Sequence, residues 1–184
     1  MQLAMVNDRV MPLEQLDSAC LDRGLYFGDG VYEVMRSYNG RLFAFEEHME
    51  RFARSLREIE ITGVDMADIR RRVLKCFEQA AIQPDARVYF HITRGSGARS
   101  HAPAGDMKPN FFLTIQPLPA ATTQKTNGIK VSTYPDQRWK RCDIKSLNLL
   151  PNVLATMDAK RKGCDEAILV NDAGFLTEGS SSAF

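Results

Sequence analysis

The chain has 184 residues, of which 44% are hydrophobic and 26% charged, with a formal net charge of +1. This is ordinary for a globular protein of one domain or two small ones, and the mixing of signs along the chain gives no electrostatic case for nucleic acid or an anionic membrane surface. No run is long enough to span a bilayer, and the four cysteines, Cys20, Cys76, Cys142 and Cys164, lack metal-ligand spacing and read as free thiols of a cytoplasmic protein, with no metal site expected.

From Leu25 to Tyr38 the chain is rich in β-branched and aromatic residues, Asn39-Gly40 supplies a two-residue turn, and Arg41-Leu42-Phe43 starts a return strand. Strand alternation puts Tyr32, Val34 and Arg36 on one face and Val31, Glu33 and Met35 on the other, and one of these faces should line the core. Phe45 to Ile59 then switches to helical spacing, with Met49, Phe52, Leu56 and Ile59 as its apolar stripe. His48 and Arg51, one turn apart on that helix, are able to point at a single anion near its start. A second helix is predicted from Asp65, its N-cap, to Ala81, burying Ile69, Val73 and Phe77.

Strands are predicted over 86–93 and 111–116, separated by a loop from Arg94 to Asn110 that is long enough to suggest function. Pro117 to Asn127, with two prolines and a Thr/Ala run, reads as a junction. The expected organisation is an N-terminal domain over 1–118, a linker over 119–126 and the start of a C-terminal domain over 127–184. That last part should hold a strand at Ile129 to Tyr134, a helix capped by Asn152 and ending at Gly163, a strand at Glu166 to Val170, and a turn at 171–174 leading into Phe175 to Glu178. The stop at Phe184 leaves that strand without a further partner, so the C-terminal part is expected to be truncated.

Within Arg138 to Asn152 the chain sets Lys145 among Ile144, Ser146, Leu147, Leu149 and Leu150. Its amine is expected at the mouth of a core, where loss of water favours the uncharged nucleophile that Schiff-base chemistry requires. Two further segments stand beside it: Arg23 to Glu33 followed by His48 and Arg51, and Leu176-Thr177-Glu178-Gly179-Ser180-Ser181-Ser182. Together these three resemble the pyridoxal-phosphate enzymes of fold type IV, a family of D-amino-acid aminotransferases, branched-chain aminotransferases and aminodeoxychorismate lyases. The loop Thr93 to His101 resembles that of the D-amino-acid aminotransferases in particular.

The resemblance implies an α/β fold in two domains, an N-terminal α/β domain and an incomplete, barrel-like C-terminal one, with the cofactor, pyridoxal 5′-phosphate, between them. It implies that Lys145 is the catalytic Schiff-base lysine, that Arg51 binds the cofactor phosphate through its planar donors, and that Glu178 keeps the pyridine nitrogen protonated. Ser181 is a weaker cofactor contact. Tyr32 would face the substrate and His48 support it, while Arg99 and His101, on one side of an extended loop, would bind the substrate α-carboxylate from the neighbouring subunit of a homodimer. The implied reaction is transamination between a D-amino acid such as D-alanine and a 2-oxo acid. A branched-chain L-amino-acid aminotransferase or an aminodeoxychorismate lyase would share Lys145, Arg51 and Glu178 without needing the Arg-x-His pair, and an inactive fragment is the non-enzymatic alternative.

Overall fold

The computed structural model describes residues 2–183, and the chain divides into two compact units. The first takes the chain as far as Gln116 together with Lys145–Leu147, and the second takes Pro117–Ile144 and the residues from Asn148 onward.

In the first unit β1 (Leu3–Val6) and β2 (Arg9–Pro12) form an antiparallel hairpin. A single helical turn, α1 (Arg23–Phe27), stands where the β-rich composition of Leu25 to Phe27 had suggested strand. Its ends explain the difference: the Asp22 carboxylate accepts from Gly24 N at 2.6 Å, and Gly28 closes the turn at φ 64°. β3 (Gly30–Tyr38) follows and turns through Asn39 and Gly40, both at positive φ, into the short β4 (Arg41–Leu42).

Two helices pack next, α2 (Phe45–Glu58) and α3 (Met66–Ala80), the latter capped by the Asp65 side chain on Ala67 N. β5 (Ala86–Thr93) and β6 (Asn110–Pro117) complete a sheet in the order β4-β3-β5-β6. β3 and β5 run antiparallel with Tyr32 opposite His91 and Val34 opposite Tyr89. The core lies on the Val31 and Met35 face, where Met49, Phe52, Leu56, Ile69, Val73, Val88, Phe90 and Ile92 are all buried. Phe52 and Phe90 meet edge to face at 4.9 Å.

In the second unit the segment expected as a linker contains α4 (Thr122–Asn127). β7 (Val131–Pro135), α5 (Leu150–Arg161) and β8 (Glu166–Val170) follow, with β7 and β8 parallel, and β9 (Leu176–Gly179) is antiparallel to β8. The sheet order is β7-β8-β9, and among the described residues these strands stay open rather than closing into a barrel. Asn152 is not the cap of α5. The helix begins at Leu150 with Pro151 in its first turn, a position where a missing N–H costs nothing. Asn152 instead uses its amide to donate to Ser180 O at 2.9 Å. Small side chains let α5 approach the sheet, with Ala155, Ala159, Ala167 and Leu169 forming a buried cluster.

Phe52→Ala should cost about 3–5 kcal/mol by opening a cavity at the centre of the first unit, read as a lower urea midpoint. Leu74→Ala, on an exposed position of α3, should stay within about 0.5 kcal/mol of the parent.

Candidate active site

The lysine is placed by β3. Along the start of this strand, Leu147 N donates to Gly30 O and Tyr32 N donates to Lys145 O, both at 3.0 Å, so residues 145–147 act as a short strand on the edge that β4 leaves open. Lys145 N also donates to Ser55 Oγ at 3.2 Å, on α2 one turn beyond Arg51. Gly30 permits this close approach, because a Cβ there would stand 2.6 Å from Ile92 O and 2.8 Å from Leu147 Cδ1. The Lys145 side chain is half-buried, its Nζ 3.3 Å from the Tyr32 hydroxyl and 4.4 Å from the centroid of that ring.

One charged side chain on the core face of β3 organises the neighbouring helix. Glu33 is fully buried, between Val31 and Met35 in the strand alternation. Its Oε1 accepts from Arg51 Nε and its Oε2 from Arg51 Nη2, each at 2.7 Å, and Oε2 also lies 2.7 Å from His48 Nδ1. The single anion on which His48 and Arg51 converge is therefore supplied by the protein itself. Burial alone would raise the Glu33 pKa, but the hydrogen bonds from Arg51 and His48 outweigh it and hold the carboxyl below its usual range. Sequence reasoning gave Glu33 no role. The signal was an acidic residue inside the alternation that also carries Val31 and Met35, since charges are almost never buried unless paired.

The long loop is tied down by arginines. Arg23, 4% exposed, donates from Nε to Asp29 at 2.7 Å and from its two terminal nitrogens to the carbonyls of Ser100 and His101. Asp29 is also gripped by Arg94, whose Nη2 reaches back to Ile59 O at 2.6 Å. Burial works against ionisation of Asp29, and the two arginines overcome it, leaving the pKa lowered. Arg99 and His101 are exposed and converge on the same ring, with the Arg99 guanidinium 5.2 Å from the Phe27 centroid and the His101 ring 5.4 Å from it. Arg23 stacks on Phe27 too, at 4.8 Å.

In the second unit Glu178 accepts from Arg138 Nη1 through Oε2. Arg138 is in turn held by Asp136, whose carboxyl lies well below the usual carboxylate range chiefly because of that hydrogen bond. Ser181 gives both its amide and its hydroxyl to Glu166, at 2.8 and 2.7 Å, and Ser180 Oγ joins them at 2.6 Å. The hydroxyl expected on a cofactor thus faces a carboxylate of its own unit.

The donor set within each unit is matched to a phosphorylated aldehyde. The first unit brings together an amine for the aldehyde and, on the adjoining helix, a guanidinium whose side chain is 40% exposed while Glu33 holds its inner edge. The second provides Glu178, whose side chain is also 40% exposed and whose second oxygen is suited to a protonated ring nitrogen.

Arg51→Ala should cost about 3–5 kcal/mol, because it leaves a fully buried carboxylate with only His48. Glu33→Gln should cost less, about 1–3 kcal/mol, since the partly exposed Arg51 regains water. A carboxyl with a depressed native pKa stabilises the fold above its unfolded value of about 4.5 and loses that contribution as pH falls through the native value. The stability difference between the parent and Glu33→Gln, measured by urea unfolding, should therefore be full near neutrality and shrink below pH ~4.5.

The profile of the family amino-transferase class IV matches residues 30–184. A D-alanine aminotransferase of Bacillus licheniformis is 39% identical over 180 residues, which cover 96% of this chain and 62% of that protein. Among solved structures, a 4-amino-4-deoxychorismate lyase from Pseudomonas aeruginosa aligns with a TM-score of 0.76 at 26% identity, over 92% of this chain and 62% of that one. The PLP-bound form of a hypothetical aminotransferase from Mycobacterium tuberculosis aligns with a TM-score of 0.75 at 20% identity, over 95% of this chain and 63% of that one. The chain spans about three-fifths of the length of these relatives. With its α/β architecture and a match over more than half of its residues, this chain belongs to the class IV aminotransferase family of fold type IV.

Proposed function

We propose that the protein uses pyridoxal 5′-phosphate to exchange an amino group between a D-amino acid such as D-alanine and a 2-oxo acid. The observation that carries this reading is the seat of Lys145, a half-buried amine 3.3 Å from the Tyr32 hydroxyl, on the strand that anchors Arg51 through Glu33. The D-alanine aminotransferase relative at 39% identity supports the choice of substrate, and the PLP-bound neighbour supports the choice of cofactor.

Pyridoxal phosphate, when bound, supplies the aldehyde that takes up the amino group and the ring that spreads charge left on the substrate Cα. The chain supplies the rest. Arg51, oriented by Glu33, would take the phosphate by charge-assisted hydrogen bonds, and Glu178 would hold a proton on the ring nitrogen. Lys145 would accept the Cα proton and return it, with the Tyr32 hydroxyl fixing the direction of its amine. Arg99 and His101 would bind the α-carboxylate across the interface of a homodimer, with His48 supporting the site and Ser181 contributing at the cofactor. Since one lysine reaches only one face of the substrate, the place where the carboxylate is pinned decides the enantiomer.

No helix among the described residues is long and apolar enough to cross a membrane, and the four free thiols accord with a cytoplasmic site of action. With added pyridoxal phosphate, the protein should transfer nitrogen from D-alanine to 2-oxoglutarate, and Lys145→Ala should lower the rate by at least about 10²-fold. Exchange of L-leucine with no turnover of D-alanine would contradict the reading.

A further inference from the structure

We propose that His91 is a positioning residue for the lysine end of the site, acting through the Tyr89 hydroxyl and the stacked Tyr32 ring. This rests on the reading of Lys145 given above, and it assigns a role to the sheet face opposite the core.

β3 and β5 present Tyr32, Val34, Tyr89 and His91 on that face, with His91 directly across from Tyr32 in the strand register. Tyr89 and His91 are two residues apart on one strand, so their side chains stand on the same side. The Tyr89 hydroxyl lies 3.0 Å from His91 Nδ1, and the two rings meet edge to face at 5.6 Å. His91 is itself stacked on Phe112 of β6, at 5.0 Å and 22°. On its other side Tyr89 stacks on Tyr32 at 5.8 Å and 29°, and Tyr32 carries the Lys145 amine over its ring and at its hydroxyl. The path from His91 to the amine is thus an unbroken series of contacts within one unit.

The chemistry gives this series a direction. Burial lowers the His91 pKa against the opposing charge of Asp22, so the ring is neutral near pH 7 and carries one acceptor nitrogen. Burial, with Tyr32 beside it, raises the Tyr89 pKa, so the phenol keeps its proton. With the histidine proton on Nε2, Tyr89 donates to Nδ1. That bond sets the Tyr89 ring against Tyr32, and the Tyr32 ring against the amine. A leucine at position 91 would keep an apolar neighbour for Phe112 but remove the acceptor, letting Tyr89 turn and Tyr32 tilt. An asparagine places an acceptor oxygen near the position of Nδ1 and should restore the arrangement.

The test uses the full chain labelled with ¹³Cζ-tyrosine, without added cofactor, its five tyrosine signals assigned by single Tyr→Phe variants. In His91→Leu the Tyr89 and Tyr32 signals should both shift while those of Tyr26 and Tyr134 stay put, and His91→Asn should return both to near their parent positions. Tyr89→Phe, which keeps the ring, should also move the Tyr32 signal and carries the test if His91→Leu does not fold. A Tyr32 signal unmoved in Tyr89→Phe or in a folded His91→Leu overturns the proposal. With pyridoxal phosphate and D-alanine, His91→Leu should lose kcat by roughly tenfold at unchanged KM, within the ~10²-fold that about an ångström of misplacement costs, and His91→Asn should recover it. An unchanged kcat in folded His91→Leu also overturns the proposal. If the Tyr32 signal moves as expected but D-alanine is not turned over by the parent, the functional reading fails and the positioning role stands.

Discussion

The carboxylate of Glu33 is the constraint on which the rest of the first unit depends. A fully buried charge is tolerated only when its hydrogen bonds are complete, and here completion requires two side chains from one turn of α2, His48 and Arg51. The demand runs in both directions. Glu33 fixes the rotation of α2 against the sheet, and α2 in turn presents Ser55 to the backbone of Lys145. A structural ion pair and the seat of Lys145 are therefore one piece of packing.

The second consequence concerns the edge of β3. An open strand edge is a liability in a sheet, and this protein covers the first residues of that edge with the segment that carries the lysine. Hydrogen bonds at both the N–H and the carbonyl of Lys145 fix its backbone independently of its own side chain, and Gly30 provides the room. Such double restraint is what the proposed role of Lys145 would require, since a catalytic group must be held in a productive geometry. Arg23 does similar work for the long loop, turning the backbone at Ser100 and His101 into acceptors for a buried guanidinium.

Much of this was legible in the sequence where local chemistry decides the outcome. The Asn39-Gly40 turn, the apolar stripe of α2 and the Asp65 cap of α3 each follow from residues within a few positions of one another. The rest is set over distances that spacing cannot report. Lys145 meets Tyr32 across 113 residues and Ser55 across 90, so neither contact follows from spacing; the resemblance turned Tyr32 toward a substrate and gave Ser55 no role. Alternation separated the two faces of β3 but pointed the wrong way for anyone who would turn a glutamate toward water, because its partners lie on another element. α1 defeated a reading from β-propensity since its capping residues, Asp22 and Gly28, flank only a single turn. Asn152 has the chemistry of a cap yet serves Ser180, a partner 28 residues away.

The most direct measurement is a ¹³C NMR titration of the Glu33 side-chain carboxyl in the native chain and in Arg51→Ala. A midpoint below 4.5 is expected in the native chain, with an upward move in the variant, where burial acts with less opposition. A native midpoint at or above 4.5, or one that Arg51→Ala leaves unmoved, would contradict the claim that this buried carboxylate and its arginine hold the site together.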